Sequence, residues 1–81
     1  MSQWKIAGKP DGTEPTVGVT YEIRHSRKGT FTMRADAVNG EWLTGTIIEG
    51  TAKALLDYNV REAGEDVTVR DTLSYLIEVS K

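Results

Sequence analysis

FTMRADAVNGEWLTGTII, residues 31–48, places an Asn-Gly pair between two runs that are rich in β-forming residues. Asn39-Gly40 favours a two-residue type I′ turn, because both positions tolerate a positive φ. If Val38 pairs with Glu41, the register predicts one hairpin face that holds Phe31, Met33, Ala35, Ala37, Trp42, Thr44, Thr46 and Ile48. The sequence therefore predicts a β-hairpin with Trp42 buried, and with Leu43 and Ile47 on the wetter face.

The segments on either side of this hairpin also follow the period of strands. Apolar residues alternate with polar ones from Val19 to His25, and Arg27-Lys28-Gly29 then predicts a turn. A second alternation runs from Val67 to Val79, where Asp71 interrupts the apolar face. A bulge or tight turn is therefore expected at Asp71-Thr72. Between the two alternations, Thr51 favours a cap on a short helix from Ala52 to about Tyr58.

Residues 1–16 contain glycines, prolines and an Asp-Gly pair that break any regular period. They are predicted to form a flexible N-terminal arm, in which only Trp4 and Ile6 could anchor a short strand. Residues 17–81 are predicted to form one small domain, because a chain of 81 residues has room for one thin core. Four or five antiparallel strands with one short helix suggest a mainly β fold that closes into a small barrel, since closure removes exposed edges.

The run VGVTYEIRHSRKGTF at residues 17–31, followed by Gly40-Glu41-Trp42 and Ile48-Glu49-Gly50, resembles small SH3-like β-barrel proteins of phages and prophages. The resemblance covers roughly residues 17–50 and rests on pattern. It implies the SH3-like barrel fold and a phage or prophage origin, and it implies no functional residues.

Composition narrows the class of protein. Apolar residues make up 38% of the chain and charged residues 27%, which is ordinary for a folded domain. No apolar run is long enough for a membrane span, and no cysteine is present. These features predict a cytoplasmic domain that does not contact a membrane. The net charge of −2 is unevenly distributed, because residues 1–34 carry six cations against three acids and residues 35–81 carry four against nine.

The residue types needed for catalysis and metal binding are scarce. His25 is the only histidine, and it falls on the apolar side of its strand, which favours a packed structural role. Without cysteine or a second histidine, no transition-metal motif can be formed, and the phosphate-loop and calcium-loop spacings are missing. We therefore predict no catalytic residues, no metal and no cofactor, and a protein that is not an enzyme.

The remaining candidate site is a basic cluster with nearby rings. Its candidate binding residues are Tyr21, Arg24, His25, Arg27, Lys28 and Arg34. One hypothesis is a protein-binding module, because small β domains present sheet faces or edges to partner segments. The alternative is a barrel that binds single-stranded nucleic acid, with cations on phosphates and rings stacked on bases. The acidic balance of the chain favours the protein partner, since dedicated nucleic-acid binders are usually basic.

Overall fold

The computed structural model describes residues 3–53 and 60–79. Its strands are β1 (Thr20–His25), β2 (Gly29–Asn39), β3 (Trp42–Gly50), β4 (Asp66–Arg70) and β5 (Ser74–Glu78), and a 3₁₀ helix spans Asp71–Leu73. They form one antiparallel sheet in the order β4-β3-β2-β1-β5. The predicted mainly β fold is confirmed. Within these ranges β4 does not pair with β5, so a closed barrel is not confirmed.

The sheet is nevertheless strongly curved. β4 and β5 lie at its opposite edges, yet only the three residues of the 3₁₀ helix join them. Four strand spacings would separate the edges of a flat sheet by roughly 19 Å, whereas four Cα steps reach at most about 14 Å. The predicted break at Asp71-Thr72 is therefore confirmed as the 3₁₀ helix that carries the chain from one edge to the other.

The concave face of the sheet carries the core. Alternate residues of all five strands point into it and are less than a tenth exposed, as the period-two pattern requires. The N-terminal segment also contributes, because Trp4 and Ile6 are buried in the same cluster. The indole Nε1 of Trp4 donates a hydrogen bond of 2.9 Å to the carbonyl of Gly40. Ile6 forms a parallel bridge with Leu76 of β5, which makes it the anchor that its apolar character suggested.

The register of the central hairpin differs from the sequence prediction. Asn39 pairs with Trp42, so the turn consists of Gly40 and Glu41 instead of Asn39-Gly40. Gly40 has a φ of 60°, and no residue other than glycine has a positive φ in the described chain. A positive φ at the first central position alone is the pattern of a type II′ turn, not of type I′.

The prediction that Trp42 and Ile48 are buried is wrong. Trp42 is 47% exposed and Ile48 is 49% exposed, while Leu43 and Ile47 lie in the core. Register shifts after Ala35 and after Thr32 explain this. The first makes Asp36 an extra residue of β2, and the second makes Ile48 an extra residue of β3. Because each extra residue reverses the inward and outward alternation, the faces exchange along the hairpin.

The predicted helix from Ala52 to about Tyr58 falls mostly on residues 54–59, outside the described ranges. Its first residue, Ala52, is buried and forms an antiparallel bridge with Arg61. Across the ranges the structure describes, no helix has the length and apolar character needed to cross a membrane.

Candidate functional site

Two of the predicted binding residues lie on the convex face but far apart. Arg24 pairs with Thr30, and Arg34 pairs with Thr20, so four residue steps, roughly 13 Å, separate them along the sheet. Each arginine has a carboxylate neighbour two residues away on its own strand. Arg24 Nε lies 3.1 Å from Glu22, and Arg34 Nε lies 3.0 Å from Asp36. These two cations therefore do not form one continuous unpaired surface.

The two predicted stacking rings lie on the opposite side of the sheet. Tyr21 is 2% exposed, and its hydroxyl accepts a hydrogen bond of 2.9 Å from the backbone N–H of Thr16. His25 is also buried, and its Nδ1 accepts hydrogen bonds from the backbone N–H groups of Arg27 and Lys28 at 3.1 and 3.0 Å. His25 thus holds the β1–β2 turn in place, and neither ring is presented beside Arg24 or Arg34.

This role of His25 predicts a pH dependence of stability. Burial, together with the positive charges of Lys28 and Arg27, lowers the pKa of His25 below its ordinary value of 6.5. A lowered pKa means that the unfolded chain binds the proton more readily, so this stability is present above pH 6.5 and is lost as the pH falls through the folded pKa. We expect the unfolding midpoint in urea to fall over this window, and to fall less in His25→Asn. An identical pH dependence in both proteins would contradict this role.

Lys28 belongs instead to a cationic cleft at the end of the sheet. The cleft has a volume of about 340 Å³ and is lined by Lys28, Lys53, Arg61, Asp66, Val67 and Thr68. Backbone contacts bring its cationic wall together. Lys53 donates its N–H to the carbonyl of Lys28 at 2.9 Å, and Ala52 and Arg61 exchange two backbone hydrogen bonds of 2.9 Å. Sequence reasoning identified Lys28 but missed Lys53 and Arg61, because only long-range pairing places them there.

The remaining residues of the lining, Asp66, Val67 and Thr68, belong to β4. Backbone bonds from Ile47 to Glu65 and from Asp71 to Glu41 flank the β3–β4 pairing. Hydrogen-bonded pairs alternate in antiparallel sheets, so Val67 and Val69 direct their N–H and C=O groups toward β3. Asp66 and Thr68 therefore direct theirs away from the sheet. In residues 3–53 and 60–79, no backbone group pairs with that outer side of Asp66 or Thr68.

The other edge of the sheet is covered. The N–H of Ala7 donates to the carbonyl of Leu76 at 2.8 Å, and the N–H of Leu76 donates to the carbonyl of Lys5 at 3.0 Å. The N-terminal segment thus pairs with β5 on the side away from β1. Unpaired strand edges attract further strands. Among the described residues, β4 is therefore the edge at which another strand could be added.

An exposed aromatic residue lies next to the β4 edge. Trp42 pairs with Arg70 across β3 and β4, and the Arg70 guanidinium lies 5.5 Å from the centre of the indole ring. Arg70 also contacts the carboxylate of Glu41 at 2.9 Å. An indole that is nearly half exposed and held by a cation offers a firm apolar surface to a partner, as tryptophan commonly does in interfaces. The sequence did not indicate this exposed position, because the predicted hairpin register placed Trp42 on the buried face.

Among the described side chains, no three of the histidine, aspartate and glutamate types come close enough together to hold a metal ion. The groups that the candidate site presents are its backbone edge, its cations and its indole. No protein-family model, curated protein or solved structure matches this chain.

Proposed function

We propose that this chain is a non-enzymatic binding module that adds an extended segment of a partner protein to the outer edge of β4. The main observation in favour of this proposal is that the backbone N–H and C=O groups of Asp66 and Thr68 point outward. They have no backbone partner in the described part of the chain. Strand addition of this kind derives affinity from main-chain hydrogen bonds and specificity from neighbouring side chains. Such side chains are supplied by the cationic cleft near the beginning of β4 and by Trp42 near its end.

The fold and setting of this module are part of the proposal. The 3₁₀ connection between opposite sheet edges supports an SH3-like barrel, since it requires the sheet to curl toward closure. A phage or prophage origin rests on the sequence resemblance of residues 17–50. A cytoplasmic location rests on the absence of cysteine from the chain.

Single-stranded nucleic acid is the alternative partner, and one observation supports it. Lys28 joins Lys53 and Arg61 in a cleft that phosphates could occupy. Other observations weigh against the nucleic-acid site predicted from the basic cluster and its rings. The Tyr21 and His25 rings are buried, and Arg24 and Arg34 each have a carboxylate within 3.1 Å. The protein partner is therefore the better supported proposal.

A proline in the β4 edge tests strand addition. Thr68→Pro removes an N–H that points away from the sheet, so it should leave the β3–β4 pairing intact, as edge positions tolerate proline. Peptides selected on the wild-type protein from a random library should lose at least about tenfold in affinity for this variant, since a main-chain bond is lost and the ring obstructs the edge. Fluorescence anisotropy measures the change.

Thr68→Val is the matched control. Both variants lose the hydroxyl contact of 3.0 Å between Thr44 and Thr68, but valine keeps the backbone N–H. The valine variant should bind the selected peptides as the wild type does. If Thr68→Pro, folded by circular dichroism, binds them with unchanged affinity, the partner does not add to β4 and the proposal fails.

A further inference from the structure

We propose that the segment received by β4 is acidic, and that Lys28, Lys53 and Arg61 recognise its carboxylates. This inference rests on the proposed function and names the chemistry of the partner. Its starting point is the cleft of about 340 Å³, whose lining joins three residues of β4 with these three cations. An occupant of that cleft contacts the backbone edge and the cations at the same time.

The charge of the cleft is opposite to that of the whole chain. Among the described residues of the lining there are three cations and one acid, Asp66, within a chain of net charge −2. Arg61 has only a long contact of 3.7 Å with Glu65. In the described ranges, Lys28 and Lys53 have no carboxylate within 4 Å. The described lining of the cleft thus carries more positive than negative charge, which favours an anionic occupant.

The geometry of the edge favours an extended peptide over a compact anion. Asp66 and Thr68 present backbone N–H donors and C=O acceptors along one line. A small anion can accept hydrogen bonds from the N–H groups but has no donor for the carbonyl oxygens. An extended peptide satisfies both kinds of group, and its alternate side chains point to the same side. Carboxylates at alternate positions would therefore face the cationic wall together.

Short labelled peptides test this assignment. The probes are an alternating glutamate–valine peptide and the same peptide with glutamine or with lysine in place of glutamate. We expect the glutamate peptide to bind about tenfold more tightly than the glutamine peptide, because two or three partly exposed charge contacts are each worth a few-fold. The lysine peptide should bind more weakly still. Equal affinity for the glutamate and glutamine peptides would overturn the inference.

Two double variants with the same net charge locate the effect. Lys53→Ser with Arg61→Ser removes two cations of the cleft, whereas Lys5→Ser with Lys9→Ser removes two exposed cations elsewhere. The cleft variant should lose about tenfold for the glutamate peptide and almost nothing for the glutamine peptide. The control variant should match the wild type. Equal losses in the two variants would show a general charge effect and would contradict the assignment.

Two further outcomes separate this inference from the proposed function. If library-selected peptides are sensitive to Thr68→Pro but show no acidic preference, strand addition stands and the acidic partner is rejected. If the glutamate peptide binds equally well to Thr68→Pro, the anion occupies the cleft without strand addition and both are rejected for this ligand. A labelled oligothymidine that binds more tightly than the glutamate peptide, and that the cleft variant loses, would assign the cleft to nucleic acid.

Discussion

Gly45→Ala is expected to destabilise the fold by about 3 kcal/mol or more, a large part of the stability of a domain this small. Gly45 lies inside the curved sheet, directly opposite Ala35. A Cβ atom at this position would overlap the carbonyl oxygen of Arg34 and would lie 2.9 Å from Met33 Cε. The methionine tip can move, but the carbonyl belongs to the β2–β3 backbone. The strands would therefore have to separate.

Urea unfolding of Gly45→Ala measures this loss, and Gly18→Ala serves as a comparison. Gly18 has a φ of 91° and nothing within 4 Å of an added Cβ, so its variant should lose only the roughly 1 kcal/mol that a left-handed alanine costs. If the two variants had similar unfolding midpoints, the close approach of β3 to Arg34 would be refuted.

Trp4→Ala is expected to cost about 3–5 kcal/mol, the usual range for truncating a fully buried tryptophan. Trp4 has no exposed surface, and the substitution also removes the hydrogen bond from its indole to the Gly40 carbonyl. If residues 1–16 were a flexible arm, as the sequence predicts, removing the Trp4 side chain would change the free energy of unfolding very little. Val17→Ala is the control, because Val17 is 58% exposed and its truncation should have a negligible effect.

Thermal or urea unfolding gives the stability of both variants. A further variant, Trp4→Phe, keeps most of the ring volume but loses the indole N–H, so it should fall between the wild type and Trp4→Ala. If Trp4→Ala unfolded at the wild-type midpoint, the N-terminal segment would be an arm in solution and the sheet alone would hold the fold.

The strands could be predicted from sequence where one period runs without interruption. The alternation from Val19 to His25 identified β1, and the acid in the last apolar face marked the 3₁₀ helix at Asp71. The hairpin register could not be predicted, because it contains two bulges, at Asp36 and at Ile48. No local residue pattern predicts these bulges, and each one reverses the inward and outward alternation of the residues that follow it.

The candidate site was even less accessible from sequence. Lys28 was identified because it belongs to a cationic run, but Lys53 and Arg61 meet it only through backbone pairing around Ala52. The residues of the basic run at 24–28 do not stay on one surface, since alternate residues of a strand face opposite sides of the sheet. Arg24 therefore lies on the convex face, whereas His25 points into the core.

Amide hydrogen exchange along β4 in the unliganded protein reports whether the outer edge of this strand is open to a partner. The N–H groups of Val67 and Val69 point toward β3, whereas those of Asp66 and Thr68 point away from it. We expect slow exchange at Val67 and Val69 and fast exchange at Asp66 and Thr68. Equal protection of all four amides would show that another part of the chain already pairs with this edge, and would contradict strand addition at β4.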